Sequence, residues 1–177
     1  MCIDLGDKRT GLAAGDAWSR LASPLKVLEV PIAERGGESL LAAIVREVAG
    51  YFGESRTAGE LVVGMPFNMD GSEGPRARSV RAFAQRVSVA TGRVVHFQDE
   101  RLSSVEADWR MARSGLTRGQ KKARRDALAA AAILQDFFVA MGERTADAGG
   151  KNAGFGERSS DAAAGETAGE QDAEGGV

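Results

Sequence analysis

Three strand-like segments crowd into the first thirty residues, and this limits the folds open to the chain more than any other feature. Met1 to Leu5, Thr10 to Ala14 and Leu25 to Val30 are short β-prone runs separated by Gly6, Gly11, Gly15 and Pro24. Segments so close in sequence must be joined by tight turns. That favours antiparallel pairing, because a parallel crossover needs a dozen or more residues.

The period then changes. Leu40, Leu41, Ile44, Val45, Val48, Tyr51 and Phe52 fall on one face at helical spacing, which predicts an amphipathic helix. Glu60 to Gly64 is a short apolar run followed by a loop rich in Pro, Asn, Asp and Gly through Gly74. Val80, Phe83, Ala84 and Val87 then mark a second helix, and Arg93 to Gln98 a further strand. Apolar runs alternating with helices read as parallel strands with crossover connections. A helix around Ser104 to Ala112, a basic loop and a long helix from about Lys121 to Met141 complete the order. The expected fold is α/β, a mixed sheet of three antiparallel strands and then parallel strands, with helices on both faces.

With 177 residues, 43% apolar and 27% charged, the chain can supply one ordinary domain with a sizeable core. A boundary is expected at residue 144. From Thr145 onward Ala and Gly fill 16 of 33 positions, and Phe155 is the only large apolar residue before Val177, so residues 145–177 are expected to be disordered. This tail holds seven acids and two bases, which leaves residues 1–144 mildly basic behind an overall formal charge of -2. The lone Cys2 excludes an intramolecular disulfide and fits a reducing compartment. No apolar run approaches the ~20 residues of a membrane span and no signal-like start is present, so a cytoplasmic location is expected.

Three carboxylates stand where chemistry could gather. Glu100 follows the strand Arg93 to Gln98, and ligands in open α/β sheets collect at the carboxyl ends of parallel strands. Asp126 lies at the edge of the helical face formed by Ala127, Ala130, Leu134, Phe137, Phe138 and Met141, where alanines allow close approach to the sheet. Asp4 interrupts an apolar strand and precedes Gly6, Lys8, Arg9 and Gly11, a neighbourhood in which backbone can approach a phosphate. Each has an ordinary alternative: a solvated turn for Asp99-Glu100, a helix-start acid favoured by the macrodipole for Asp126, a common Asp-x-Gly turn for Asp4. If the three converge, their mutual repulsion calls for a cation.

Arg113, Arg118, Lys121, Lys122, Arg124 and Arg125 place six positive charges within 13 residues before Asp126, a density suited to a phosphate backbone, although a solvated helix face would look the same. Few aromatics lie outside the expected core, which argues against a base-stacking platform. His96 is the single histidine and is read as structural, which leaves a histidine zinc site or a Ser-His-Asp triad without support. Trp109 and Met111 are read as packing residues, and Cys2 carries no catalytic signature.

Taken together, the segments Asp4 to Ala13, Val63 to Gly74, Asp99 to Ala107 and Asp126 to Leu134 resemble the YqgF family of pre-16S rRNA nucleases, also described as Holliday-junction-resolvase-like. The likeness runs in register over residues 1 to about 140. It implies a ribonuclease-H-like fold and a cytoplasmic role in maturing the 5′ end of the small-subunit rRNA precursor. By motif match Asp4, Glu100 and Asp126 take the catalytic acidic positions and would ligate Mg2+ or Mn2+. Asn68 and Asp70 fall in the family's Pro-x-Asn-Met-Asp-Gly loop, with substrate positioning as the expected role, and Lys8, Arg101 and Lys122 are candidate phosphate contacts. Two departures stand out. Few residues precede Asp4, so a short or frayed first strand is expected, and Asp7 replaces a common Thr, which brings a fourth carboxylate beside the site.

The resulting expectation is metal-dependent phosphodiester hydrolysis on structured precursor rRNA, with no membrane partner and no oligomeric state assigned. Three alternatives stay open: a resolvase acting on branched DNA, a non-catalytic RNA-binding assembly factor and, last, an actin-like ATPase, whose architecture resembles two such domains where this chain supplies one.

Overall fold

The computed structural model describes residues 1–53, 59–101 and 118–150, and within the last segment the side chains of 125–143. Five strands, β1 (Cys2–Leu5), β2 (Thr10–Asp16), β3 (Leu21–Leu28), β4 (Leu61–Met65) and β5 (Val95–Asp99), form one sheet in the order β3-β2-β1-β4-β5. β1 with β2 and β2 with β3 are antiparallel, whereas β1 with β4 and β4 with β5 are parallel. This is the mixed sheet expected from the spacing of the apolar segments.

The first turn is as tight as its short sequence demands. The Gly6 amide donates to the Arg9 carbonyl at 3.0 Å, and a Cβ on Gly6 would lie 2.4 Å from that oxygen. β1 is short but not frayed: it pairs on both sides, and the Met1 ammonium donates to the Glu60 carbonyl at 2.9 Å. β3 begins at Leu21, four residues before the expected Leu25. Pro24 sits within it opposite Ala13, next to a register shift that skips Leu25. A proline is tolerated there because β3 is an edge strand and needs no outward ladder bond.

Three helices complete the described structure: α1 (Glu38–Phe52), entered through a 3-10 turn at Glu34–Gly37, α2 (Pro75–Thr91) and α3 (Arg118–Gly150). α2 starts earlier than its apolar stripe suggests, because Pro75 occupies the first turn where its fixed φ suits helix entry. Gly92 ends it at φ 67°, its amide bonded to the Ser88 carbonyl at 2.8 Å. α3 runs on to Gly150, past Met141 and across the expected boundary at residue 144. The helix expected around Ser104 to Ala112, with Trp109 and Met111, lies outside the described residues.

The sheet separates two apolar layers. On one side Ile3, Leu5, Leu12, Leu61, Val63 and Met65 pack against Leu40, Ile44 and Val48 of α1 and Val80, Phe83, Ala84 and Val87 of α2. Each large side chain buried there contributes about 1.5–3 kcal/mol relative to exposure. Tyr51, expected on the apolar face of α1, is instead half exposed and meets Phe52 edge to face, ring centroids 5.0 Å apart. On the other side Cys2, Ala13 and Val62 pack against Ala130, Ala131, Ile133, Leu134, Phe137 and Phe138 of α3. Among the described residues no helix is long and apolar enough to cross a membrane.

Candidate active site

Strand alternation decides which side chains face α3. Ile3 and Leu5 belong to the layer under α1 and α2, and Cys2 to the layer under α3, so the two-residue period turns Asp4 toward α3 as well. By the same rule Val62 and Gly64 of β4 face α3. The site therefore forms on the α3 side, at the carboxyl ends of the parallel strands.

Two glycines let the elements that carry the three carboxylates approach the same end of the sheet. Gly11 pairs with Asp4 across the β1–β2 ladder. A Cβ on Gly11 would lie 1.9 Å from the Asp126 carbonyl oxygen, so backbone packs on backbone at Asp126 of α3. Gly64 makes room for Glu100 in the same way: its Cβ would meet Glu100 Oε1 at 2.1 Å and Ile133 Cδ1 at 2.9 Å. The Glu100 amide donates to the Met65 carbonyl at 3.2 Å, which ties the residue to the end of β4.

The electrostatics match this convergence. Burial, and then the negative charge of Asp126, push Asp4 up to about 6, while Arg76 pulls it down. Burial, and then the charge of Asp4, push Glu100 up to about 7, again opposed by Arg76, with Asp99 adding to the rise. Asp126 is half buried and ion-paired, Arg9 Nε lying 2.8 Å from its Oδ2. The Cys2 thiol is fully buried beneath Asp4, and burial pushes it far above its ordinary value, so it supplies no thiolate.

Among the described residues no three His, Cys, Asp or Glu side chains are gathered closely enough to enclose a metal ion as they stand. The donor chemistry nonetheless fits a hard divalent cation: all oxygen, with two desolvated carboxylates whose repulsion a cation would relieve. Completing the set requires Asp126 to share its carboxylate between Arg9 and the ion.

The expected substrate contacts are distributed less simply. Lys8 is exposed at the tip of the β1–β2 turn. Asn68 Nδ2 donates to the Ser72 hydroxyl at 2.9 Å, and Asp70 Oδ1 accepts from the Ser72 amide and hydroxyl at 2.9 and 2.6 Å. These bonds also hold the Asp70 carboxyl below its usual range. Both side chains thus shape their own loop, which Gly71 turns at φ 84°. Arg101 grips Asp99 through Nε and Nη2 and donates to the carbonyls of Asn68 and Met69 at 3.2 Å, stapling the loop to the end of β5. The Lys122 side chain lies outside the described residues, as does most of the basic cluster; Arg125 is exposed. His96 bonds Glu60 at 2.9 Å and lies beside Phe137, in keeping with a structural reading.

Arg76 was not among the expected site residues. Its Nη1 donates to Asp7 Oδ1 at 2.6 Å and its Nη2 to the Leu5 carbonyl at 3.1 Å. The signal that could have found it is Gly74-Pro75, a helix start that sets the next residue in a first turn facing the strand ends.

Comparison with known proteins gives consistent matches. The family described as "RuvX: Holliday junction resolvase" matches residues 1–140. A protein of Pelotomaculum thermopropionicum named "Putative pre-16S rRNA nuclease" is 36% identical over 154 residues, 87% of this chain and 95% of that one. An Anaeromyxobacter relative of the same name is 44% identical over 136 residues, 77% of this chain and 93% of its own. Among solved structures, Thermus thermophilus RuvC in complex with a Holliday junction substrate aligns with a TM-score of 0.45 and 18% identity, over 78% of this chain and 92% of that one.

Proposed function

The chain belongs to the RuvX family, and from that premise we propose that it is a nuclease that hydrolyses phosphodiester bonds at Asp4, Glu100 and Asp126, acting on the precursor of 16S rRNA in the cytoplasm. The observation that supports this most is the partly buried pair Asp4 and Glu100 at the carboxyl ends of the parallel strands, raised by burial and then by the charge of Asp126 on Asp4 and of Asp4 on Glu100, with Asp126 held near by the backbone contact at Gly11.

Asp4, Glu100 and Asp126 would hold magnesium or manganese. When bound, such an ion supplies an activated water and stabilises charge developing on the phosphate oxygens. The protein's part is placement. The backbone contact between Gly11 and Asp126 fixes the third carboxylate over the strand ends, and Arg9 orients it. Gly64 leaves room for Glu100 to fold over β4, and the surrounding burial keeps bulk water from competing for the carboxylates. The loop held by Arg101 forms one wall, and Lys8 stands at the rim where a backbone phosphate would approach.

Purified protein with magnesium or manganese should cleave precursor rRNA, and Glu100→Gln or Asp126→Asn should slow cleavage at least 100-fold. Wild-type rates in Asp126→Asn would refute the assignment. The family description also favours a second reading, branched DNA as substrate, because backbone contacts carry little sugar or base information. Competition between precursor rRNA and a four-way DNA junction separates the two.

A further inference from the structure

Asp7 and Arg76 take no part in the hydrolysis outlined above, yet they meet at its edge. Arg76 reaches from the first turn of α2 to the end of β1, with Nη1 on Asp7 and Nη2 on the carbonyl of Leu5, the residue after Asp4. An arginine in a first helical turn opposes the macrodipole, which favours acids there, so helix stability does not explain its presence. Nor does folding as a whole: the Arg76 side chain is 50% exposed and Asp7 78%, and so open an ion pair contributes little. The guanidinium also lies close enough to Asp4 and Glu100 to oppose the rise in both carboxyls.

A guanidinium fork accepts a carboxylate and a phosphate with the same geometry. The Leu5 carbonyl holds one prong in place whichever anion sits on the other. We propose that Arg76 is a phosphate-contact residue of this site and that Asp7 occupies it in the absence of substrate, as an internal anion that a nucleic-acid phosphate displaces. The ligand class rests on the phosphodiester reading above. Displacement exchanges one anion for another at Nη1 and leaves the Leu5 contact intact, so Asp7 raises the concentration of nucleic acid needed for occupancy without altering the arrangement of the carboxylates.

The experiment is a double-mutant cycle on the full chain, with binding of a labelled, structured precursor-rRNA fragment followed by fluorescence anisotropy in EDTA, so that cleavage plays no part. Asp7→Asn should tighten binding about two- to fivefold, the scale of an exposed ion pair. Arg76→Gln should weaken binding by a similar factor and lower the slope of log affinity against log salt by roughly one phosphate contact, about 0.7–0.9. In the Arg76→Gln background Asp7→Asn should have almost no effect. Equal tightening in both backgrounds, or an unmoved salt slope, overturns the proposal, because Asp7 would then act as a general repulsive charge. If Arg76→Gln fails to fold, Arg76→Lys keeps the charge without the fork, and a coupling to Asp7 as large as that of Arg76 would count against the proposal. Coupled binding without cleavage removes the nuclease reading and keeps this one, cleavage with uncoupled binding or with none does the reverse, and neither binding nor cleavage removes both.

Discussion

The two faces of the sheet are built on opposite principles. Under α1 and α2 the contact is made by volume: Ile3, Leu12, Leu40, Ile44, Val63 and Met65 are all buried at the interface. Under α3 large residues, Ile133, Leu134, Phe137 and Phe138, fill the layer further along the helix, but beside the carboxylates the contact is made by small ones, with Ala127, Ala130 and Ala131 buried on the helix and Gly11 and Gly64 offered by the strands. Side-chain size sets how near two layers can come. The first face gains stability from apolar area, whereas the second gives up area so that a side chain as short as Asp126 can stand beside Asp4. Both faces carry the fold, and the glycine and alanine end of the second also brings the carboxylates near the strand ends.

The sharpest way to break that division is Gly11→Ala. The added Cβ would sit 1.9 Å from the Asp126 carbonyl oxygen and 2.3 Å from its carbon, backbone atoms that cannot rotate aside. α3 must lift from the sheet, and urea denaturation should show a loss of about 4 kcal/mol or more. Cleavage per folded molecule should vanish with it. Ile44→Ala is the matched change on the opposite face: a fully buried side chain is cut back, at a cost of about 2–4 kcal/mol. Here cleavage per folded molecule should stay at the wild-type level. A comparable loss of activity in Ile44→Ala would show that the faces are not separable.

The two faces were not equally legible in the sequence. The α1 and α2 layer follows from periodicity, since Leu40, Ile44 and Val48 or Val80, Phe83 and Val87 announce their burial by spacing alone. Asp4, Glu100 and Asp126 could be nominated singly, as a strand start, a strand end and a helix edge. What joins them could not be read, because the Gly11–Asp126 contact and the Arg9–Asp126 pair depend on how elements far apart in sequence dock. Arg76 is hidden in the sequence for a related reason: the first turn of α2 buries only Ala77, so the apolar stripe begins too late to reveal it. β3 reads shorter in sequence than it is, because Pro24 looks like a break and becomes tolerable only where the strand lies at an edge. Lys8 and Asp7 were visible as charges, but only the turn geometry shows that one is exposed at the tip and the other is held by Arg76.

Asp4→Asn tests whether the α3 face gives up stability for its charges. The folded carboxyl titrates at about 6, above the ordinary range of an unfolded Asp near 3.9, so the native state binds its proton more tightly than the unfolded chain does. Stability therefore falls as pH rises from about 4 to 6, and Glu100 extends the decline to about 7. In EDTA, Asp4→Asn should be more stable than wild type by on the order of 2 kcal/mol at pH 8, with the gain gone near pH 4. Thermal melts across that range provide the check, and a variant less stable than wild type at pH 8 would contradict the electrostatic account.

Gly64→Ala should have the smallest effect on stability and for that reason separates placement from packing most cleanly. The new Cβ would meet Glu100 Oε1 at 2.1 Å, but that atom is the tip of a flexible side chain, and Ile133 Cδ1 at 2.9 Å is likewise a terminal methyl. Both can turn away, so the stability change should stay within about 1–1.5 kcal/mol, far below that of Gly11→Ala. Glu100 would then leave its position over β4, and cleavage should fall at least tenfold, a change that a difference of about 1.4 kcal/mol in transition-state stabilisation produces. The cause is displacement rather than loss of the carboxylate, so raising the magnesium or manganese concentration should restore part of the rate in Gly64→Ala and none in Glu100→Gln. Unchanged activity in Gly64→Ala would mean that Glu100 need not stand over β4, and would remove it from the proposed carboxylate set.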